Sequence, residues 1–198
     1  GVTQFQMVTN GSSNDFGVMR KLANGLDDAC RLTVELLDAP LVKAGKYKVI
    51  LDPILGSTFV HEAFGHMSEA DDYHNNERMR EIFTMGRRFG SDELGIYDTG
   101  LDAGTRGYLR YDDEGVPCEK TWLIQDGILV GRLHNRESAA RFGEKPTGNA
   151  RCINYRYPPI CRMRNTCIAP GNATFDELIS DIELGVYAID THGGTGGE

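Results

Sequence analysis

Lys46-Tyr47-Lys48-Val49-Ile50-Leu51-Asp52-Pro53-Ile54-Leu55 decides the fold. The residues up to Leu51 favour a half-buried pleated surface and read as a strand. Asp52 then offers a carboxylate to the unpaired amides of a helix start, and Pro53 fits the first turn, where no N–H is needed. A strand therefore feeds into a helix that runs from Pro53 through the His61 region.

Upstream the texture is helical. From Asp15 to Leu37, the residues Ala29, Leu32, Thr33, Leu36 and Leu37 fall on one face at three- and four-residue spacing, and Pro40 ends the run. Downstream of residue 95 strands and turns take over. Tyr108–Tyr111, Thr121–Ile124 and Ile128–Leu133 read as antiparallel strands joined by turns at Asp113-Glu114-Gly115 and Asp126-Gly127. The prolines of Arg156-Tyr157-Pro158-Pro159 confine that stretch to an edge or an extended connection. Thr174 and Glu177 have the spacing of a capping box and start a short helix to Leu184. Thr191–Gly197 reads as a flexible stop. The fold class expected is α+β: residues 1–44 close a preceding α/β domain, and residues 45–198 form a mostly antiparallel β domain carrying the motif helix.

Composition narrows the function. With 198 residues, 40% of them hydrophobic and 25% charged, the chain can bury a good core. A net charge of -8 argues against a surface that neutralises phosphates, so nucleic acid is not an expected partner. Apolar runs such as Val49–Leu51 and Ile128–Val130 fall far short of the roughly 20 residues of a membrane span, so no membrane is expected. No basic and apolar leader opens the chain, although it does not begin with Met and a processed start would hide one. The five cysteines (Cys30, Cys118, Cys152, Cys161, Cys167) are odd in number and lack C-x-x-C spacing. They read as reduced thiols, the later four as small packing residues, in a cytoplasmic protein.

The chemistry concentrates in Val60-His61-Glu62-Ala63-Phe64-Gly65-His66-Met67-Ser68-Glu69-Ala70-Asp71. In the common H-E-x-x-H helix the histidines stand four apart, about 40° around the axis, and reach one zinc ion. Here the spacing is five, which on an ideal helix separates the rings by about 140°. Either a π-bulge absorbs a residue, or the helix ends and His66 approaches from the next turn, with Gly65 as the point of bending. Zinc would lower the pKa of a bound water to about 7, and Glu62 would take its proton and pass it to the leaving amine. The plainer alternative leaves both histidines hydrogen-bonded at a helix end and Glu62 solvated.

At these residues the chain resembles the TldD/PmbA family, specifically the TldD-like members with an H-E-x-x-x-H motif. The resemblance runs from about residue 25 to 198. It takes in Leu51-Asp52-Pro53, Ser68-Glu69-Ala70-Asp71, Asp112–Pro117, Pro146-Thr147-Gly148-Asn149 and Pro159–Met163 leading to Asn165-Thr166. It implies a zinc metallopeptidase acting on small or unfolded peptides in a bacterial or archaeal cytoplasm. It also implies homo- or hetero-oligomeric pairing with a related subunit. Carried over, His61 and His66 match the metal ligands and Glu62 the catalytic glutamate. The family's third ligand is a cysteine after the glycine-rich segment, here Gly193–Gly197, so it falls beyond Glu198 and none of the five cysteines inherits the role.

Other residues are weighed beside this set. Glu69 and Asp71 are chemically reasonable as internal ligands, with a supporting or salt-bridge role as the alternative. His74 reads as a solvent-facing loop residue and His134 as structural, while His192 would reach the site only if the tail folds back. The glycine tail lacks the lysine of a phosphate-binding loop. Arg78, Arg80, Arg87 and Arg88 alternate with Glu77 and Glu81 as a solvated, ion-paired helix face, with a substrate carboxylate as the functional option. Trp122, Tyr155 and Tyr157 read as packing residues. Two further functions stay open: a non-catalytic pairing subunit using strand edges, and a zinc hydrolase of another amide.

Overall fold

A computed structural model describes residues 3–12 and 14–191. The chain opens with a 3₁₀ stretch, Phe16–Leu22, capped by the Asp15 carboxylate, and continues into α1, Ala23–Asp38. Of the face expected to be buried, Ala29, Leu32, Thr33 and Leu36 are half-buried, while Leu37 is exposed together with Leu26 and Val34. The strand and helix that decide the fold follow as β1, Lys48–Leu51, and α2, Pro53–Val60. Two short helices, α3 (Ala70–Asn75) and α4 (Glu77–Ile82), come next.

The centre is a four-stranded antiparallel sheet. It contains β2 (Ile96–Thr99), β3 (Lys120–Gln125), β4 (Ile128–Leu129) and, past α5 (Arg136–Phe142), β5 (Ala150–Arg151) and β6 (Ile160–Cys161), the strand β7 (Asn165–Ile168), in the order β4-β3-β2-β7. β5 and β6 pair separately, antiparallel. After α6, Phe175–Ile179, the strand β8, Gly185–Ala188, returns to pair with β1 in parallel.

The Asp126-Gly127 turn has positive φ at both residues, 51° and 73°, as a two-residue hairpin requires. Two expected strands differ. Tyr108–Tyr111 contributes one isolated bridge, Tyr111 to Pro117, because Leu109 and Arg110 bond instead to Gly100 and Cys118 in an irregular loop. The strand after Gly127 stops at Leu129, since Leu133 turns aside to bond the Ser68 carbonyl. The capping box at Thr174 and Glu177 is present, but its helix ends at Ile179, and Gly185 begins β8. The connection through Pro158-Pro159 starts in a turn, where the Tyr157 amide donates to the Asn154 carbonyl, and carries no strand until β6. Thr191 is the last described residue of the glycine tail, so His192 lies outside the described residues.

Phe83, Ile96, Leu123, Ile124, Leu129 and Leu133 are fully buried and form the core. Each such side chain contributes about 1.5–3 kcal/mol on burial. The motif segment is bolted to this core by its apolar members: Val60 belongs to it, and Phe64 and Met67 pack against it, with the Phe64 ring 6.2 Å from Phe83 and 5.7 Å from Phe89.

Candidate metal centre

The start of α2 is held at two points by one atom. Asp52 Oδ1 accepts from the Leu55 amide at 2.7 Å, which caps the helix, and from the Asp190 amide at 3.1 Å, which ties the cap to the residues after β8. α2 then widens. His61–Gly65 form a π-helical turn in which the His66 amide donates to the His61 carbonyl, five residues back. An i→i+5 turn absorbs one residue more than an α-turn, so His66 comes round beneath His61. The two imidazoles stand edge to face with centroids 4.7 Å apart. Of the two geometries the spacing allows, this is the π-bulge.

The bend is not owed to backbone freedom at Gly65, whose φ of -63° suits any residue. Space is the reason for glycine: a Cβ there would stand 1.9 Å from Met163 Sδ. Met163 belongs to the stretch after β6, and its close approach locks the turn against the sheet.

The donor atoms of His61, Glu62 and His66 all lie within 4.8 Å of one another. Ligands each about 2 Å from a zinc ion stand up to about 4 Å apart, so the three groups are already near ligand spacing. Two imidazoles and a carboxylate also form a donor set that suits zinc chemically. Burial and the neighbouring His66 hold the His61 pKa below its ordinary value, which favours the neutral ring that binds metals.

Glu69 and Asp71 do not join this cluster. Glu69 is fully buried and accepts from His66 Nδ1 (3.1 Å), Arg162 Nη1 (2.9 Å) and the Met163 amide (3.3 Å). Burial pushes its pKa up, against the pull of these donors. Asp71 accepts from the Cys161 amide at 2.7 Å. Both acids thus clamp the segment after the histidines onto residues 161–163.

His134 is structural as expected: buried, with Nδ1 against Ser138 Oγ and Nε2 against Glu144 Oε2, both at 3.0 Å. His74 is exposed, but on α3 rather than in a loop. Among the cysteines, Cys118 and Cys161 are buried, Cys152 and Cys167 half-buried and Cys30 exposed. Burial pushes the Cys161 thiol up to about 11, which leaves it unreactive. The arginine cluster pairs differently from expectation. Arg80 and Arg87 donate to main-chain carbonyls, Arg87 to those of Glu81 and Ile82 at the end of α4, and Arg88 bonds Asp92.

Sequence reasoning missed one buried group near the centre. Asp98, in the middle of β2, accepts from Asn149 Nδ2, the Arg164 amide and Thr166 Oγ1 at 2.8–3.0 Å. Its carboxyl is raised by burial, and it joins β2 and β7 to the loop before β5. The one available signal was Asn149, which belongs to a stretch quoted for the resemblance.

These features define a class of protein: an α+β domain whose widened helix turn brings two histidines and a glutamate together. The chain belongs to the PmbA/TldD family, matching the family model described as the PmbA/TldA metallopeptidase C-terminal domain over residues 44–197. It is 50% identical to a metalloprotease of Synechocystis over 96% of this chain and 41% of that one. It is 40% identical to a zinc metalloprotease TldD homolog of Saccharolobus solfataricus over 77% of this chain and 34% of the other. The chain thus spans well under half the length of these relatives. Among solved structures it resembles TldE from Thermococcus kodakarensis, with a TM-score of 0.69 at 18% identity over 88% of this chain and 39% of that one. A Thermotoga maritima protein gives 0.70 at 23% identity over 83% of this chain and 37% of that one. Among the described residues no helix is long and apolar enough to cross a membrane.

Proposed function

We propose that this chain carries the metal centre of a zinc-dependent peptidase that hydrolyses small or unfolded peptides, with His61 and His66 as metal ligands and Glu62 as general base. The observation that carries this reading is the π-turn, which brings the three side chains to one point although their spacing would scatter them on an α-helix. Zinc held there supplies Lewis acidity that polarises the scissile carbonyl and makes water a competent nucleophile near neutral pH. Glu62, next to the first histidine, takes the proton from that water and delivers it to the departing amine, so the peptide C–N bond breaks with no net gain or loss of protons. The name of the Saccharolobus relative supports zinc as the metal.

The same reading makes residues 1–44 the end of a preceding domain and residues 45–198 the peptidase domain, with the third protein ligand a cysteine beyond Glu198. It places the protein in the cytoplasm and pairs it with an identical or related subunit, which the likeness of its fold to TldE supports. The test is elemental analysis of the full-length protein. The native form is expected to hold about one zinc per chain, His61→Ala to lose it, and Glu62→Ala to keep it while kcat falls by about 10²–10⁴-fold. A native protein that holds no metal under zinc-replete conditions would replace this reading with the non-catalytic pairing subunit.

A further inference from the structure

Glu69 stands three residues beyond His66 with no solvent access. Its main chain is fixed on both sides. Its amide donates to the His66 carbonyl, its carbonyl accepts from the Tyr73 amide, and it bridges to Leu133. Its side chain is equally constrained. Oε2 is shared by His66 Nδ1 and Arg162 Nη1, and Oε1 faces the Met163 amide. Arg162 is braced in turn by the Cys161 carbonyl at 2.8 Å, and the neighbouring Asp71 seizes the Cys161 amide.

Such a carboxylate cannot turn to follow the imidazole, so the imidazole must follow the carboxylate. Oε2 already accepts from the Arg162 guanidinium and Oε1 from the Met163 amide, donors with no lone pair to offer, so the side chain meets its neighbours as an acceptor. The ring nitrogen facing it must therefore carry the hydrogen, and the free lone pair falls on Nε2. We propose that Glu69, with Arg162 behind it, is the positioning residue that fixes the tautomer and direction of His66 so that Nε2 is offered to the metal. Carboxylates that orient ligating histidines this way typically contribute 10–100-fold in metal affinity. His61 has no such brace, since its ring makes no hydrogen bond among the described residues. One ligand of the pair is thus rigid and the other adjusts. The inference rests on the zinc reading of the site.

The test has two independent arms on the full-length protein. In the first, long-range ¹H–¹⁵N correlation spectra of the metal-free form report the His66 tautomer directly. The hydrogen is expected on Nδ1 in the native protein, with a changed tautomer balance in Glu69→Gln. In the second, zinc affinity is measured by competition with a chelator. Glu69→Gln is expected to bind about 10–100-fold more weakly while its thermal unfolding shows an intact fold. The native spectrum needs no variant, so a misfolded Glu69→Gln leaves the question decidable. Hydrogen on Nε2 of native His66, or unchanged zinc affinity in Glu69→Gln, overturns the positioning role alone. Absence of zinc binding by the native protein overturns the metal reading and the positioning role together.

Discussion

Two histidine clusters in this protein use the same residue types to opposite ends. Around His134 both ring nitrogens are consumed, by Ser138 and Glu144, and the side chain is 1% exposed. At the other cluster His66 spends one nitrogen on Glu69 and is 44% exposed, and among the described residues His61 spends none. A buried imidazole with both nitrogens satisfied is part of the architecture, whereas a half-open pair with lone pairs to spare can take a ligand. The acids divide in the same way. Glu144 closes an internal network with Arg132 and His134, while Glu62 sits among the donor atoms of the open pair.

Exchanging the two clusters in mutagenesis gives the largest expected contrast. His61→Ala should abolish zinc binding with little change in the unfolding midpoint of the metal-free protein. His134→Ala should keep the zinc and lose about 2–4 kcal/mol of stability, because it opens a cavity and strands the partners of both nitrogens. Denaturant titration beside metal analysis reads both, and zinc loss in His134→Ala would erase the distinction. A smaller effect is expected at the joint between the open pair and the sheet. Gly65→Ala drives a methyl into Met163 and should cost about 1–3 kcal/mol, and pairing it with Met163→Ala should recover part of that loss.

The smallest effect is in pH. Burial is the largest influence on His134 and holds its pKa below the ordinary value, with Glu144 and Asp71 opposing and Arg132 assisting. The unfolded chain therefore binds this proton first. The contribution to stability is complete above about pH 6.5 and is lost as pH falls below it toward the folded value. Urea midpoints between pH 7 and pH 5 should fall less steeply in His134→Asn than in the native protein. Parallel slopes would show that His134 is not the residue that titrates.

What could be read from the residues was what depends on near neighbours. Asp52-Pro53 announced the helix start, the Asp126-Gly127 turn its hairpin, and the five-residue histidine spacing demanded a local widening that the structure supplies as a π-turn. The contacts that lock the site were not legible, because they join distant segments. Glu69 meets Arg162, Gly65 meets Met163, and Asp98 meets Asn149 and Arg164. β2 escaped notice for a related reason: it has four residues, one of them a buried aspartate, so it shows neither alternation nor an apolar run. The same long range made Gly65 look like a hinge when it is a space left for Met163.

The parallel pairing of β1 with β8 also has a consequence in time. The strand that launches the motif helix is hydrogen-bonded to residues 185–188, and the Asp52 cap is shared with Asp190. During synthesis the chain therefore carries its histidines out of the ribosome long before the partners that orient their helix exist. Closing so large a loop is slow, and the pairing rewards it only at the end. The helix that carries the histidines thus gains its last fixed point only after every strand of the central sheet has been synthesised.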